Sequence, residues 1–221
     1  MYLAHDFLND NRPVAVKTES LTQPFSLLLK EIQSYKALTA NGFPRLIKQG
    51  ISVENEIIYI VMDLLGPSLE DLFNLCGGKF TLKTTLMVFW QILDRLQTMH
   101  DRNYIHRDLK PDNIMFGLAD ASNTLSFVDF GLTRLVIDPK TGKHIKMVTG
   151  KNLVGTCRYV SVNSHMGLEL SRRDDLITVG YVIISLLKGC LPWQGNLGSK
   201  LSARYRKIGQ IKANYSNEKL C

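Results

Sequence analysis

The segment spanning residues 105–113, Ile-His-Arg-Asp-Leu-Lys-Pro-Asp-Asn, constrains this chain more than any other stretch. It places a carboxylate (Asp108), an amine (Lys110) and an amide (Asn113) close together. A carboxylate can accept or orient the proton of a substrate hydroxyl, and an amide oxygen a few residues later can reach a metal ion. Lys110 can neutralise charge on a transferred group. A turn around Pro111 would explain the loop but not this combination of groups, which predicts a catalytic loop.

A second motif, Val-Asp-Phe-Gly at residues 128–131, follows the apolar run that begins at Leu125. By itself such a motif is as compatible with a turn as with a metal site. Its position downstream of Asn113 favours the metal site, because two oxygen ligands, from Asn113 and Asp129, suit a hard cation such as Mg²⁺. That cation keeps water and phosphate oxygens as its remaining ligands. The two motifs together predict a magnesium site at which phosphate groups bind.

A lysine near the N-terminus has a candidate partner. Lys17 follows a short β-like run at residues 14–16, and Glu31 lies in the next helix-like stretch, off its apolar stripe. A single lysine is most often a solvated surface charge. Glu31 changes that interpretation, because it could pair with Lys17 and hold the amine against phosphate groups. The sequence therefore predicts an ion pair between these two side chains.

The first sixty residues predict a small sheet with one helix. Strand-like runs occupy residues 14–16 and 56–62, and a helix-like pattern lies between them. The apolar positions of that pattern are Phe25, Leu28, Leu29, Ile32, Tyr35 and Leu38. Pro24 is placed where helix starts tolerate proline, and the pair at residues 41–42, Asn-Gly, supplies a stop.

Most of the remaining chain is predicted to be helical. Ser68 can cap a helix over residues 69–76, residues 82–102 form a long amphipathic pattern, and residues 174–187 form a buried one. The sequence thus predicts an α+β, bilobal fold, in which a small β-rich lobe precedes a larger helical lobe.

Composition limits the class of protein. The 221 residues are 45% hydrophobic and 21% charged, as in ordinary globular domains. Residues 1–17 carry charges where a secretory signal would be apolar, and the longest uncharged run, residues 176–187, is too short to span a bilayer. Four widely spaced cysteines show no metal-binding pattern, which favours free thiols. We expect a monomer of the cytoplasm, the nucleus or both, without a membrane span.

The net charge of +7 leaves several classes of partner open. Positive charge can favour nucleic acid, a membrane surface, or an acidic or phosphorylated partner. The basic residues form only small groups, at 172–173 and 204–207, and the sequence carries no recognisable nucleic-acid-binding motif. These groups favour local anion sites, and we expect no nucleic-acid partner.

The motifs resemble those of eukaryotic-type serine/threonine protein kinases, whose catalytic loop, magnesium-binding triplet and lysine-bearing strand are similar to residues 105–113, 129–131 and 14–17. Further segments resemble the casein kinase I family more specifically. These segments are residues 62–73, 151–159, 161–163, 171–176 and 191–195. The likeness covers essentially the whole chain and implies a bilobal protein-kinase-like fold.

The resemblance implies an enzyme that uses ATP and Mg²⁺ to phosphorylate serine or threonine in protein substrates, with Lys110 favouring these hydroxyls over tyrosine. The implied catalytic residues are Lys17, Glu31, Asp108, Lys110 and Asn113. The implied ATP-binding residues are Lys17, Met62, Asp63, Leu65 and Asp129, and the metal ligands are Asn113 and Asp129. Asp63 and Leu65 would present backbone groups to adenine, with Met62 behind them.

Two further roles are implied by the resemblance. Asp175 would anchor the buried helix and brace the catalytic loop. Arg158, Gly195 and Arg204 would form an anion pocket for acidic or already phosphorylated protein substrates, because guanidinium groups bind phosphate in a bidentate fork. A solvated helix charge is an equally good interpretation of Arg204.

The same resemblance predicts that residues 1–221 form a partial kinase domain. Residues 1–62 would be a small lobe lacking the glycine-rich loop, residues 63–67 a hinge, and residues 68–221 a large lobe lacking its last helices. A catalytically weak or inactive kinase fragment, acting as a binding module or decoy, therefore stands as the alternative to an active enzyme.

Overall fold

The computed structural model describes residues 1–195 and 201–221. The N-terminal part is an antiparallel sheet of four strands in the order β1-β2-β4-β3, with helix α1 packed against it. The elements are β1 (Tyr2–Asp6), β2 (Arg12–Ser20), α1 (Leu27–Ala37), β3 (Leu46–Ser52) and β4 (Ile57–Asp63).

Alternation along the central strands explains this sheet. In β4 the side chains of Ile58, Ile60 and Met62 are buried while their neighbours are only partly covered. That period of two turns one face of the strand toward α1 and the core. Strand β2 pairs with β4 so that Lys17 lies opposite Ile60, in the middle of the sheet.

Helix α1 begins later than the sequence predicts. Ser26 is its N-cap, with its hydroxyl accepting from the Leu29 backbone N–H at 3.0 Å, so Pro24 lies before the helix rather than at its start. Phe25 and Leu29, assigned to the apolar stripe, are 79% and 53% exposed. The helix also ends at Ala37, before the predicted stop at residues 41–42, and its C-cap residue Leu38 has non-helical backbone angles.

Glu31 was predicted to lie off the apolar stripe of α1, and this placement is wrong. Its side chain is 1% exposed, on the same face as Leu28, Ile32 and Tyr35. A buried carboxylate is stable only with a charged or hydrogen-bonding partner. Lys17 supplies that partner, as described below.

The C-terminal part is mainly helical. Its helices are α2 (Leu69–Leu75), α3 (Leu82–Asp101), α4 (Val162–His165), α5 (Arg172–Lys188), α6 (Leu201–Asn214) and α7 (Asn217–Leu220). Ser68 caps α2 as predicted, in a capping box with Asp71. The patterns at 82–102 and 174–187 correspond to α3 and α5 within two residues at each end.

Short strand pairs carry the loops between α3 and α4. Strand β5 (Tyr104–Ile105) pairs with β8 (Arg134–Leu135), and β6 (Ile114–Phe116) pairs with β7 (Leu125–Phe127). The predicted catalytic loop lies between β5 and β6, and Asp129 lies two residues after the end of β7. Both motifs therefore emerge at one edge of the helical part, beside the sheet.

The predicted α+β architecture, with a sheet-rich N-terminal region and a helical C-terminal region, is confirmed. The two regions share one core, which contains Phe127 and Phe130 together with buried side chains from α1, α3 and α5. The four cysteines are free thiols. Over the described ranges, every helix is too short or too polar to cross a lipid bilayer.

Candidate active site

A cleft of about 400 Å³ lies between the sheet and the helical part. The predicted residues that line it are Lys17, Glu31, Met62, Asp63, Leu65, Asn113 and Asp129. Strands β1 and β2 contribute Leu3 and Ala15, and Met115 and Val128 come from the opposite side. The cleft thus has apolar walls and a few charged groups at one end, which is the usual composition of a small-molecule site.

Lys17 connects the two parts of the molecule at the charged end of the cleft. Its ammonium donates to Glu31 at 2.7 Å and to Asp129 at 3.1 Å. Burial lowers the pKa of Lys17, but the two carboxylates more than offset this effect and raise it above its ordinary value. Lys17 therefore carries a positive charge beside the cleft, held in place from α1 and from the segment after β7.

Asp129 is held in an unusual backbone conformation. Its φ of 62° lies in the left-handed region, which costs energy for any residue other than glycine and is common at functional sites. Burial raises the pKa of its carboxyl group, but Lys17 more than offsets this effect and the net pKa lies below the ordinary value. The carboxyl group is therefore ionised at neutral pH and available to a cation.

The carboxylate of Asp108 is fixed by a residue far away in the sequence. The backbone N–H and the hydroxyl of Thr156 both donate to its Oδ1 at 2.7 Å. Gly155 allows this approach, because it has φ +92° and a Cβ there would meet the Arg107 carbonyl oxygen at 2.3 Å. With Oδ1 occupied, Oδ2 is the oxygen left to receive a proton.

Asn113 and Lys110 surround that second oxygen. The Asn113 amide nitrogen donates to the Asp108 carbonyl at 3.0 Å and lies 3.4 Å from Oδ2, which leaves its amide oxygen to bind a cation. The Lys110 ammonium lies 3.7 Å from Oδ2. The structure thus brings an acid, an amine and an amide together, as the sequence motif predicts.

His106 joins the catalytic loop to the segment that carries Asp129. Burial lowers the pKa of this histidine, so the ring is neutral at pH 7. Its Nε2 lies 3.1 Å from the Val128 carbonyl and its Nδ1 lies 3.4 Å from the Asp108 N–H. Nε2 donates to the carbonyl and Nδ1 accepts from the N–H. These two bonds fix the position of Asp108 relative to Asp129, which follows Val128 in the chain.

Asp175, near the start of α5, braces the same loop from below. Its carboxylate accepts from the backbone N–H groups of His106 and Arg107, each at 2.9 Å, and contacts the His100 ring at 3.0 Å. Arg107 has φ +69°, a strained conformation that these bonds hold in place. The brace predicted for Asp175 is present in the structure.

The opposite end of the cleft is apolar. Met62 is buried beside Tyr35, whose hydroxyl lies 3.5 Å from its sulfur. The Asp63 carboxylate accepts from the Arg45 backbone N–H at 2.9 Å, and Asp63 also lines the cleft. Within residues 1–195 and 201–221 the backbone of Leu65 makes no hydrogen bond, which leaves it able to pair with a planar heterocycle.

The donor set fits a hard divalent cation. Asn113 offers an amide oxygen and Asp129 an ionised carboxylate that is 48% exposed, and both line the cleft next to Lys17. Mg²⁺ typically binds one or two protein oxygens and completes its shell with water and phosphate oxygens. These two residues therefore suit Mg²⁺ that arrives together with a nucleotide triphosphate.

A second cavity of about 730 Å³ lies next to Lys110. The three residues predicted to bind an anion, Arg158, Gly195 and Arg204, all line it. Two acids, Glu70 and Asp112, line it as well. Among the described residues, three cations (Lys110, Arg158 and Arg204) and two carboxylates thus line this cavity, which leaves positive charge in excess.

Two contributors to the site were missed at the level of sequence. Thr156 belongs to the segment 151–159 that resembles the casein kinase I family, but its bonds to Asp108 were not predicted. The Gly-Thr pair at residues 155–156 was the available signal, because glycine permits a close approach of the backbone. Tyr35, assigned only to the apolar stripe, packs edge-on against Phe130 at 4.8 Å and so joins α1 to the segment that carries Asp129. Neither contact is visible from local spacing, because each joins residues distant in the chain.

Comparison with known protein families agrees with this geometry. The family model described as a protein kinase domain matches residues 7–220, nearly the whole chain. This chain belongs to the protein kinase domain family. Members of that family transfer a phosphoryl group from ATP to protein side chains, generally with Mg²⁺.

Proposed function

We propose that this chain transfers the γ-phosphoryl group of ATP to serine or threonine residues of acidic or already phosphorylated proteins. The observation that carries the proposal is the contact between two neighbouring cavities. Lys17, Asn113 and Asp129 line the first. Asp108 bonds to Asn113 and lies 3.7 Å from Lys110, which lines the second, basic cavity. In this proposal the first cavity binds the nucleotide and the second binds the protein substrate.

The transfer assigns a separate task to each group. The substrate hydroxyl donates to Oδ2 of Asp108, which receives the proton as the oxygen attacks the γ-phosphorus. The bond between that phosphorus and the bridging β–γ oxygen breaks, and ADP leaves. Lys110 lies beside the reacting atoms and Lys17 beside the remaining phosphates, where each stabilises negative charge. Mg²⁺, held by Asn113 and Asp129, would supply further neutralisation of the phosphate charge.

Serine and threonine are the proposed acceptors because Lys110 lies beside Asp108. A lysine two residues after the catalytic acid resembles the loop of serine/threonine kinases. The ammonium lies 3.7 Å from Oδ2, close enough to contact the phosphoryl group when a short aliphatic hydroxyl is bound. Equal transfer to matched serine and tyrosine peptides would contradict this assignment.

Contacts of the Ser-Val-Asn triplet support the closer resemblance to the casein kinase I family. Ser161 caps α4, and both Ser161 Oγ and the Asn163 amide donate to Asp174 Oδ1 at 2.8 Å. Asp174 belongs to the Ser-Arg-Arg-Asp-Asp segment and is buried. Two motifs that resemble this family thus stabilise each other.

The charge of the second cavity supports the proposed substrate preference. Arg158 is exposed and lines the cavity, on a turn whose flanking residues, Cys157 and Tyr159, are buried. Arg204 lies across the cavity on α6. An acidic or phosphorylated side chain near the acceptor serine would meet both.

Replacing both arginines with glutamine (Arg158→Gln with Arg204→Gln) tests this preference. We expect KM for a serine peptide with glutamate three residues upstream to rise by about tenfold or more, because charged hydrogen bonds are lost. KM for the matching glutamine peptide changes less, since that peptide has no anion to lose. The measurement is steady-state phosphorylation of both peptides.

Arg206→Gln is the matched control, since Arg206 is exposed on the same helix but does not line the cavity. Its KM values should equal those of the wild type. An unchanged preference for the acidic peptide in the double variant would reject the anion pocket while leaving the phosphoryl-transfer proposal intact.

A further inference from the structure

Behind the second cavity lies a buried lysine that the proposed reaction does not use. Lys212, on α6, is 4% exposed. Its ammonium donates to the carbonyl oxygens of Cys157 at 2.9 Å and Val160 at 2.6 Å. A charged side chain is rarely this buried unless it is paired, so its contacts require an explanation.

Aromatic rings rather than carboxylates surround this ammonium. It lies 5.0 Å from the centroid of the Tyr181 ring and 5.1 Å from that of Trp193. Such contacts favour a cation, as do the two carbonyl dipoles. No acid of the described chain forms an ion pair with Lys212, so its charge is not cancelled locally.

The carbonyls that Lys212 binds belong to the turn that carries Arg158. The Thr156 carbonyl accepts from the N–H groups of Tyr159 at 2.8 Å and Val160 at 3.1 Å, which closes the turn. The indole N–H of Trp193 donates to the Arg158 carbonyl at 2.8 Å.

Lys212 and Trp193 therefore hold three carbonyls of this turn from behind. The Arg158 side chain lies over the Tyr159 ring, 5.7 Å from its centroid, and Arg158 lines the cavity.

We propose that Lys212 is a positioning residue for anionic substrates, because it fixes the turn that presents Arg158 and adds positive charge behind the second cavity. This inference rests on the proposed anion preference of the cavity. It assigns to Lys212 no contact with the substrate. Its effect is on the discrimination between acidic and neutral peptides, which a purely structural residue would not change selectively.

The charge state of Lys212 gives this role a dependence on pH. Burial lowers the pKa of Lys212 to about 7. Of the groups that face it, burial lowers the pKa of His165 on α4 to about 4 and raises that of the Cys157 thiol on the turn.

Two further kinds of group lie near Lys212. Burial raises the pKa of the Tyr181 phenol on α5. The guanidinium groups of Arg158 and Arg204 line the neighbouring second cavity. Between pH 6 and 8.5 Lys212 is therefore the group at this place whose charge changes.

The sign of the effect follows from that change. Below about pH 7 the protonated amine makes charge-assisted bonds to the turn and attracts anions. Above this pH the amine is neutral and both effects weaken. The advantage of an acidic over a neutral peptide should therefore decline as the pH rises through this range.

The test compares kcat/KM for a serine peptide with glutamate three residues upstream and for its glutamine counterpart, in wild type, Lys212→Met and Lys207→Met. Glutamate is used because phosphate itself titrates near pH 6. We expect the acidic-to-neutral ratio to fall by about fivefold or more in Lys212→Met, through KM rather than kcat. Lys207→Met, which removes an exposed charge from the same helix, should keep the wild-type ratio.

The same ratio is measured from pH 6 to 8.5. It should decline with pH in the wild type and stay flat in Lys212→Met, since the pH dependence of the transfer itself cancels between the two peptides. Thermal unfolding shows whether Lys212→Met folds. If it does not, Trp193→Phe, which removes the donor to the Arg158 carbonyl but keeps an aromatic ring, provides the test by the same ratio.

The outcomes separate the two proposals. A wild type without preference for the acidic peptide overturns the anion pocket and this inference with it. The role of Lys212 alone is overturned if the wild type prefers the acidic peptide and Lys212→Met keeps the same acidic-to-neutral ratio. This includes the case in which kcat/KM falls equally for both peptides.

Discussion

Replacing Asp108 with asparagine is expected to reduce phosphoryl transfer by about a thousandfold, with little change in stability. Asparagine keeps an oxygen that can accept the two Thr156 hydrogen bonds, both 2.7 Å long in the wild type. It cannot take the proton of the substrate hydroxyl. The measurement is the initial rate of peptide phosphorylation at saturating ATP, together with the unfolding temperature of each variant.

Asp101→Asn serves as the matched control, because Asp101 is an exposed acid at the end of α3 and takes no part in the cleft. Its rate should equal that of the wild type. A folded Asp108→Asn variant that retains more than about a tenth of the wild-type rate would show that the proton is received elsewhere, contrary to the proposed mechanism.

Replacing Asp175 with alanine is expected to be the most destabilising of these changes. The substitution leaves the buried N–H groups of His106 and Arg107 without their acceptor, and each such loss costs about 1–3 kcal/mol. For a chain of this size the unfolding temperature should fall by about 10 °C. Transfer should also fall steeply, because the strained backbone at Arg107 is no longer held. Thermal unfolding and peptide phosphorylation measure the two effects.

Asp120→Ala removes an exposed acid and should leave both quantities unchanged. The brace would lose its assigned importance if Asp175→Ala unfolded within about 2 °C of the wild type and transferred phosphoryl groups at a similar rate.

Alternation and capping patterns in the sequence predicted several strands and helices correctly. The alternation before Asp63 gave strand β4, and the capping pattern at Ser68 gave α2. Helix α1 was less well predicted, because Phe25 and Leu29 fit the helical period yet are exposed. Apolar spacing alone does not show which face the rest of the chain will cover. Strand β3 had no such signal, since its apolar and polar residues do not alternate regularly.

The candidate site followed from motif chemistry more than from fold. Lys17, Asp108, Asn113 and Asp129 were each recognised from residue type and spacing, and the structure brings all four to one cleft or its edge. The burial of Glu31 could not be read from α1 by itself. Its polarity placed it outside the stripe, but pairing with a cation on a neighbouring strand offsets the cost of burying it.

Contacts that join distant segments were not predictable in this way. Thr156 reaches Asp108 only because the turn after Gly155 passes close to the catalytic loop. The burial of Lys212 had no signal in the sequence, because it depends on the packing of α6 against the Arg158 turn. Such contacts depend on tertiary structure, for which neither periodicity nor residue type gives a signal.

The most direct test of the central claim is transfer from labelled ATP by the purified 221-residue chain. The acceptor is a serine peptide with a phosphate three residues upstream, and reactions are run with Mg²⁺, with a chelator, and with Asp129→Asn. We predict label on the serine with Mg²⁺, and background levels both with the chelator and in the variant. Folded protein that transfers no label with Mg²⁺ would contradict the account and favour a kinase-derived binding module instead.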